Sequence, residues 1–315
     1  MKTKILILVA AVALSLQGFA QLGTPMSQFS GNQIAYNPAY AGIYDMLSLN
    51  LTVHKSWVRI PGSPQLINFN GHAPFKNQRH AMGFVFQNEQ WGPLHGNFIL
   101  TNYSYKMYFD KSILSFGVQA GAMVHTVDWD KIDFVSSPED PALGQGRQTE
   151  ARFDVNAGVY YLAPQWYAGF SVMHISSPKY GFVEIQGATG LETWYSQMRP
   201  QFVFIGGYNI QASRDWSWRP EIFMRYVETT PLSTNIGLHA WYQNIYSLGA
   251  NFMTGQKGVS FQAKAMLGDN LKIGYSYDAF WGDIRHYQLG SHEISISYMI
   301  RGIWDKARTV DLLWL

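Results

Sequence analysis

The sequence contains no cysteine among its 315 residues, which excludes disulfide bonds, thiolate metal ligands and a cysteine nucleophile. Charged residues make up only 14% of the chain, against about 25% in an average soluble domain. Beyond residue 20 there is no apolar run of the roughly twenty residues that a membrane-spanning helix needs. Aromatic residues, in contrast, reach 16%. Scarce charge with many aromatic side chains is typical of a barrel that meets lipid through its strands.

The N-terminus predicts a secretory signal peptide over residues 1–20. Lys2 and Lys4 precede an apolar run from Ile5 to Leu16, and small residues lead to a cleavage site before Gln21. This run is too short to span a bilayer as a helix. Removing the two lysines lowers the Lys and Arg count from 23 to 21, equal to the 21 Asp and Glu residues. A near-neutral mature chain gives no support to a nucleic-acid partner.

Residues 45–300 repeat one pattern, in which about ten residues alternate between apolar and polar before a short polar break. Side chains on a strand point to opposite faces in turn, so each stretch predicts a strand with one apolar and one polar face. The predicted strands are near residues 45–56, 64–73, 79–88, 95–108, 112–124, 152–161, 166–175, 197–210, 216–227, 232–242, 245–254, 258–267, 271–279 and 291–300. The sequence therefore predicts an all-β fold, a transmembrane outer-membrane β-barrel of about 14 antiparallel strands.

The lengths of the connections support a membrane barrel and give it a direction. Bacterial barrels have short periplasmic turns and long external loops. The longest predicted gaps, 125–151, 176–196 and 280–290, are the fifth, seventh and thirteenth connections, whereas even connections such as 109–111 and 268–270 are short. A soluble β-sandwich, the main alternative, has no reason to sort loop lengths in this way.

Charge placement predicts which face of each strand meets lipid. A Lys or Arg at the midplane of the outer face costs roughly 2–4 kcal/mol, so the apolar rows should point outward. These rows are Leu114, Phe116, Val118, Ala120, Phe153, Val155, Ala157, Val159, Ile236, Leu238 and Ala240; the alternates expected in the lumen are Gln119, Asp154, Asn156, Gln262, Lys264, Lys272, Ser276 and Asp278. Trp166-Tyr167 and Trp216-Ser217-Trp218, at strand ends, are expected to anchor the membrane interface.

Residues 21–44 precede the first strand and are interrupted by Pro25, Gly31, Pro38 and Gly42. A barrel of about fourteen strands is too wide for its own side chains to fill. Its lumen therefore needs a plug, a folded-in loop or a water path, and residues 21–44 are the nearest candidate. After the barrel, residues 301–315 form a C-terminal tail, either a periplasmic docking peptide or a final strand.

The residues that carry enzyme chemistry form no recognisable constellation. The nine histidines show no HExxH spacing, and no GxSxG motif is present, so we predict no enzyme, no cofactor and no metal site. Asp128, Asp130 and Asp133 could gather Ca²⁺, but a solvated acidic loop explains them more simply. Arg152, Arg199, Arg219 and Arg225 could line the lumen and select anions, with pairing to carboxylates such as Asp154 or Glu221 the simpler expectation.

A short motif precedes the first predicted strand. Gln28-Phe29-Ser30 is followed by Asn37-Pro38-Ala39-Tyr40-Ala41-Gly42. Together with the chain length, the barrel pattern and the closing strand at Gly290–Ile294, this motif resembles the PorP/SprF family, outer-membrane proteins of the Bacteroidota type IX secretion system. The resemblance covers essentially the whole mature chain. It marks Gln28, Phe29, Asn37, Pro38, Ala39, Tyr40, Ala41 and Gly42 as family-motif residues, which either fix the chain's approach to the barrel, the role we favour, or contact a partner.

The resemblance implies a non-enzymatic role in protein secretion and gliding motility. Such a barrel either ties the periplasmic ring of the machinery to the outer membrane or pairs with the C-terminal domain of a secreted adhesin. In the second case we expect the loops at 128–150 and 177–196 to contact the cargo. The alternative is a FadL-like outer-membrane transporter of hydrophobic solutes. An outer-membrane hydrolase is supported only by Ser and His residues that any chain contains.

Overall fold

The computed structural model describes residues 26–132, 146–187, 190–228 and 230–301. The predicted signal peptide, residues 302–315 of the predicted tail, and Asp133 lie outside the described residues. In the described part, no helix is long and apolar enough to cross a membrane. Short 3-10 turns occur at Phe29–Gly31, Gln33–Ala35, Pro38–Tyr40, Trp129–Lys131 and Asp283–His286.

Strands make up most of the described chain, as the alternating pattern predicts. They are β1 (Met46–Lys55), β2 (Gln65–Pro74), β3 (His80–Trp91), β4 (Leu94–Tyr108), β5 (Ile113–Asp128), β6 (Arg147–Leu162), β7 (Trp166–Met173), β8 (Lys179–Gly187), β9 (Gly190–Gln197), β10 (Gln201–Tyr208), β11 (Ile210–Gln211), β12 (Trp216–Val227), β13 (Thr230–Tyr242), β14 (Tyr246–Met253), β15 (Gly258–Leu267), β16 (Leu271–Phe280) and β17 (Ser291–Arg301).

The strands close into one antiparallel barrel. β1 pairs with β17 at one seam, and β10 pairs with both β7 and β12. Because the two-residue β11 continues β10 along the same edge of β12, the ring has fourteen strands. The separate hairpin β8–β9 lies in the seventh connection. The predicted all-β, fourteen-stranded barrel is confirmed.

The two faces of the barrel follow the predicted alternation. On β5, Phe116 and Val118 point outward with 48% and 53% of their surface exposed, whereas Gln119 is fully buried. The inward positions Asp154, Asn156 and Asp278 are equally buried. At these rows, therefore, the outer face presents no charged side chain to lipid, and the polar side chains point into the lumen.

The connections gather at two different rims. The even-numbered ones, residues 75–79, 109–112, 163–165, 212–215, 243–245 and 268–270, are all short and share an end of the barrel that we call the turn rim. The opposite end, the loop rim, carries the β8–β9 hairpin and the connections around 129–146 and 281–290. By the general rule for bacterial barrels, the loop rim is the extracellular one.

The strand predictions were wrong at a few places. β6 begins at Arg147 rather than 152, the hairpin β8–β9 was not predicted, and Arg301 belongs to β17 rather than to the tail. Residues 147–151 of β6 pair with β5 only, because β7 does not join β6 until Ala157, and most of their side chains are polar. This part of β6 has no lipid-facing side and therefore no apolar face, so it lacks the alternation that identified the other strands.

The aromatic strand ends divide between the two faces. Trp166, Trp216 and Trp218 are exposed at the turn rim, where amphipathic rings suit the membrane interface. Tyr167 instead turns inward, is buried, and stacks on Tyr160 with ring centres 5.7 Å apart.

Candidate functional site in the barrel lumen

Residues 26–45, which we call the lumen segment, fold inside the ring of strands as three consecutive 3-10 turns. Phe29, Ile34, Ala39 and Ile43 of this segment are at most 1% exposed. A compact segment without regular hydrogen-bonded neighbours has to find partners for its backbone polar groups. The turns satisfy many of these groups internally, and the lumen wall supplies further partners between Ser27 and Gly42.

The segment is held near the loop rim by carboxylates from the wall. Ser27 N–H and Gln28 N–H each donate to one carboxylate oxygen of Glu293, both at 2.8 Å. The Ser27 hydroxyl donates to Asp278 Oδ2 at 2.6 Å. Glu293 also pairs with His54 Nδ1 at 3.0 Å, and the side chains of both are almost completely buried. Charge-assisted hydrogen bonds in a dry surrounding are among the stronger ones in proteins.

Side-chain amides continue the attachment in the middle of the lumen. Asn32 Nδ2 donates to Thr52 Oγ1 at 3.0 Å, while Asn32 Oδ1 accepts from the side-chain amides of Asn50 and Asn70. A buried side-chain amide without a hydrogen-bond partner costs free energy. The hydrogen bonds within this cluster avoid that cost and join the segment to the wall.

The NPAYAG motif forms the third turn and contacts β6 and β7. Asn37 caps the turn, since its Oδ1 accepts from Ala39 N–H at 2.9 Å, and Pro38 occupies the first helical position. The Asn37 amide nitrogen donates to the carbonyl oxygens of Val159 and Phe170, at 3.0 and 3.3 Å. One side chain thus shapes the turn and joins it to two strands.

Two glycines in the wall make room for this turn. Gly117 of β5 and Gly158 of β6 are register partners, and both point inward. A Cβ at Gly117 would overlap the backbone of Pro38 and Ala39, and a Cβ at Gly158 would overlap the Asn37 side chain. The turn therefore packs directly on the backbone of these two glycines, and a larger residue at either position would displace the turn.

The segment leaves the lumen through a bend at Gly42. Its φ of +63° lies in the left-handed region that glycine adopts readily, and a Cβ would overlap that of Ala81. Gly42 N–H donates to His72 Nδ1 at 3.1 Å, and its carbonyl oxygen accepts from Lys106 Nζ. Lys106 is also paired with Asp45 at 2.8 Å, directly before β1.

Aromatic packing fills the space around the motif. The ring of Tyr40 meets those of Tyr44, His72 and Tyr160 edge-on, with centres 5.5 to 6.0 Å apart. Phe29 packs on Phe223 of β12 at 5.3 Å. Ala41 is fully buried, and its carbonyl oxygen accepts from Ser104 at 2.7 Å. All eight family-motif residues therefore contact the lumen wall or one another.

Among the described residues, two cavities lie beside the segment. The loop-side cavity, of about 360 Å³, is mostly apolar; Met26, Leu66, Val85, Phe98, Leu100, Met173 and Val203 line it together with Glu89, His125 and Arg225. The turn-side cavity, of about 120 Å³, is bordered about equally by polar and apolar atoms and lies among residues close to the turn rim, including Arg219, Glu221, His239, Trp241, Lys264 and Lys272.

The four predicted lumen arginines divide into two groups. Arg152 and Arg199 lie outside the lumen, where they pair with Glu150 at 2.6 Å and Glu228 at 3.6 Å. Arg219 and Arg225 point inward and line the turn-side and loop-side cavities.

The predicted pairing of these arginines with Asp154 needs correction. Asp154 pairs with His174 at 2.8 Å instead of Arg152, and Glu221 pairs with His239 at 2.9 Å. Arg152 and Asp154 lie on the same face of β6, but their distance along the strand keeps them from pairing. Arg152 lies above the barrel wall and turns toward the β8 backbone, where its Nε donates to Lys179 O at 2.7 Å.

The predicted Ca²⁺ candidates form other contacts. Asp128 pairs with Lys131 at 3.1 Å, and Asp130 accepts from Gly146 N–H at 3.2 Å. Within the described ranges, no group of three or more His, Cys, Asp or Glu residues could hold a metal ion.

A closed fourteen-stranded antiparallel barrel, apolar outside and polar inside, defines an outer-membrane β-barrel protein. A family model described as the type IX secretion system membrane protein PorP/SprF matches residues 18–298, so the chain belongs to the PorP/SprF family. No curated protein matches the chain.

Solved structures with a similar fold include a transporter and a channel. The toluene transporter TbuX of Ralstonia pickettii has a TM-score of 0.53 and 12% identity, with 91% of this chain and 99% of that chain covered. The monoaromatic hydrocarbon channel CymD has a TM-score of 0.51 and 12% identity, with 88% and 94% covered. At such identities the similarity shows the fold alone.

Proposed function

We propose that this protein is a non-enzymatic component of the type IX secretion and gliding machinery that holds a secreted adhesin by its C-terminal domain. The observation that carries the proposal is the contrast between the two parts of the barrel. Its lumen is occupied by a segment of its own chain, bonded to the wall from Ser27 to Gly42. Its loop rim, by comparison, is extended by the long β5 and β6 strands and by the hairpin β8–β9. Such a molecule suits attachment better than conduction.

In this proposal the family motif has a structural role. Asn37, Pro38 and Gly42 shape the turn and the bend that keep the segment inside the barrel. Because these side chains are buried or bonded within the lumen, a macromolecular partner would meet the rims rather than the motif.

Site-specific photocrosslinking from the two rims tests the proposal. A photoreactive residue at exposed Lys131 or Arg199 probes the loop rim, and the same residue at exposed Lys76 or Asp215 probes the turn rim. We expect adducts with an adhesin's C-terminal domain from the loop-rim positions in living cells, identified by mass spectrometry. Positions 76 and 215 are the matched controls.

The same experiment separates the two family roles. Adducts with periplasmic ring components from the turn-rim positions, without adhesin adducts from the loop rim, would replace the cargo-partner role by the anchor role. Lipid and unrelated porins as the only products at both rims would refute both.

A second candidate function is binding and uptake of small apolar solutes. The specific observation in its favour is the loop-side cavity, because about 360 Å³ of mostly apolar space falls in the range of ligand pockets. The structural neighbours include a toluene transporter and a monoaromatic hydrocarbon channel. Liposomes containing the protein should then take up radiolabelled toluene faster than liposomes containing a Leu100→Trp variant, whose larger side chain fills the cavity. Equal rates, both matching protein-free liposomes, would exclude this function.

A further inference from the structure

The loop-side cavity is elongated along the strands. Val85 of β3 and Leu100 of β4 are register partners at its lower end. Each lies six residues from the loop rim, where Trp91 ends β3 and Leu94 begins β4, and these two residues line the cavity as well. A strand advances about 3.3 Å per residue, so the cavity extends roughly 20 Å along the wall. Its occupant therefore has one end in the middle of the barrel and one end at the loop rim, which we call the rim end.

The two ends of the cavity differ in chemistry. At the lower end, Val85 and Leu100 present buried apolar side chains. At the rim end, polar side chains join the lining, because β9 finishes with Ser196 and Gln197 and β10 begins with Gln201. The lining therefore suits a molecule whose apolar part points toward the middle of the barrel and whose polar part lies at the rim end.

The charged side chains along the cavity have partners inside the protein. Glu89 accepts a hydrogen bond from Gln87 Nε2 at 2.6 Å, and His174 pairs with Asp154 at 2.8 Å. Arg225, which lines the same cavity, has interactions within the protein as well. An ionic occupant would be buried here without a counter-charge of its own, which is costly. A neutral occupant avoids that cost.

Two buried ring nitrogens near the rim end have no hydrogen-bond partner within the described part of the chain. They are Trp91 Nε1 and His125 Nε2, and both residues line the cavity. The His125 ring lies against Phe98 and Tyr180, with ring centres 5.5 and 4.4 Å away. A buried polar atom without a partner costs free energy. An occupant with an oxygen at this end removes that cost, since an indole N–H donates and an imidazole nitrogen donates or accepts.

We propose that the loop-side cavity binds a neutral molecule with an apolar body and a single hydroxyl group. The hydroxyl lies at the rim end beside Trp91 and His125, and the apolar body points toward Leu100. Such a molecule is a phenol or a short alcohol rather than a pure hydrocarbon. The inference rests on the second candidate function only for the cavity itself, since binding requires no passage through the barrel.

Binding of p-cresol and toluene, which differ by one hydroxyl group, tests the polar end of the site. Equilibrium dialysis of the radiolabelled compounds against the full chain in amphipol avoids detergent micelles. We expect saturable p-cresol binding that weakens about fivefold or more when Trp91→Phe and His125→Phe are combined, because the hydrogen bond is lost. Toluene affinity should stay within about twofold, since both replacements keep an aromatic ring. Trp281→Phe, which removes an exposed tryptophan at the loop rim, is the matched control and should leave p-cresol binding unchanged.

A direct measurement covers the case in which the double variant does not fold. Crystals of the unchanged protein soaked in 4-bromophenol should give an anomalous bromine peak beside Leu100 and Val85, with the hydroxyl toward the rim end. Full p-cresol affinity in the double variant, bromine at the rim end, or no bromine in the cavity would each overturn the proposal. Toluene uptake by liposomes is a separate result: p-cresol binding without toluene uptake keeps this site and removes the second candidate function, and toluene uptake without the p-cresol effect does the reverse.

Discussion

Replacing Gly158 with leucine should displace the lumen segment and give the barrel a measurable ion conductance. The new side chain would overlap Asn37, whose amide bonds the backbones of β6 and β7. Overpacking of this kind costs about 1–3 kcal/mol. The two lost hydrogen bonds would remove roughly another 0.5–1.5 kcal/mol each. A segment loosened by that amount no longer fills a lumen that fourteen strands leave too wide for wall side chains alone.

Single-channel recording in planar bilayers measures this effect. The unchanged protein should give few or no channel events, and Gly158→Leu should give frequent or larger ones. Ala157→Leu is the matched control, because the alternation of β6 turns residue 157 outward to lipid, which accommodates a leucine side chain. A silent Gly158→Leu barrel would mean that close packing on the wall does not hold the segment.

Replacing Glu293 with alanine should destabilise the barrel by about 3–5 kcal/mol, the usual effect of removing one member of a buried ion pair. Ser27 N–H, Gln28 N–H and His54 would all lose their acceptor at once. Glu293→Gln should have a smaller effect, because its amide keeps one of the two acceptor oxygens.

Urea unfolding in detergent, followed by the heat-modifiable mobility of the folded barrel, measures the loss. Glu228→Ala serves as the control, since Glu228 is 74% exposed and its pair with Arg199 is 3.6 Å long. Exposed pairs contribute about 0–1 kcal/mol, so this variant should unfold close to the unchanged protein. Similar midpoints for the two alanine variants would show that the carboxylate of Glu293 does not hold the segment.

The sequence predicted the barrel well where lipid imposes a pattern. Positions such as Val118 and Gln119 differ because one meets hydrocarbon and the other the lumen, and a period of two follows directly. Above the bilayer that requirement ends, which is why the first residues of β6 and the hairpin β8–β9 were not recognised.

The lumen contacts were less accessible from sequence. Residues 21–44 were a predicted candidate for filling the lumen, but the places where the described part, residues 26–44, binds the wall depend on residues far away in the chain. Asn37 and Gly158 are separated by more than a hundred positions. From the sequence alone, a glycine that packs against another segment cannot be distinguished from one that does not. Glycine at lumen-facing positions of two paired strands, Gly117 and Gly158, is a local signal that could have indicated a close approach.

The bonds between the lumen segment and Glu293 also bear on the order of assembly. Gln28 and Glu293 are 265 positions apart, and His54 and Glu293 lie on β1 and β17, the two strands that meet at the closing seam. Contacts between such distant parts of a chain form late, because the entropy of closing a very long loop must be overcome first. β17 thus supplies the residue that fastens the lumen segment, and ring closure and lumen filling become one cooperative step.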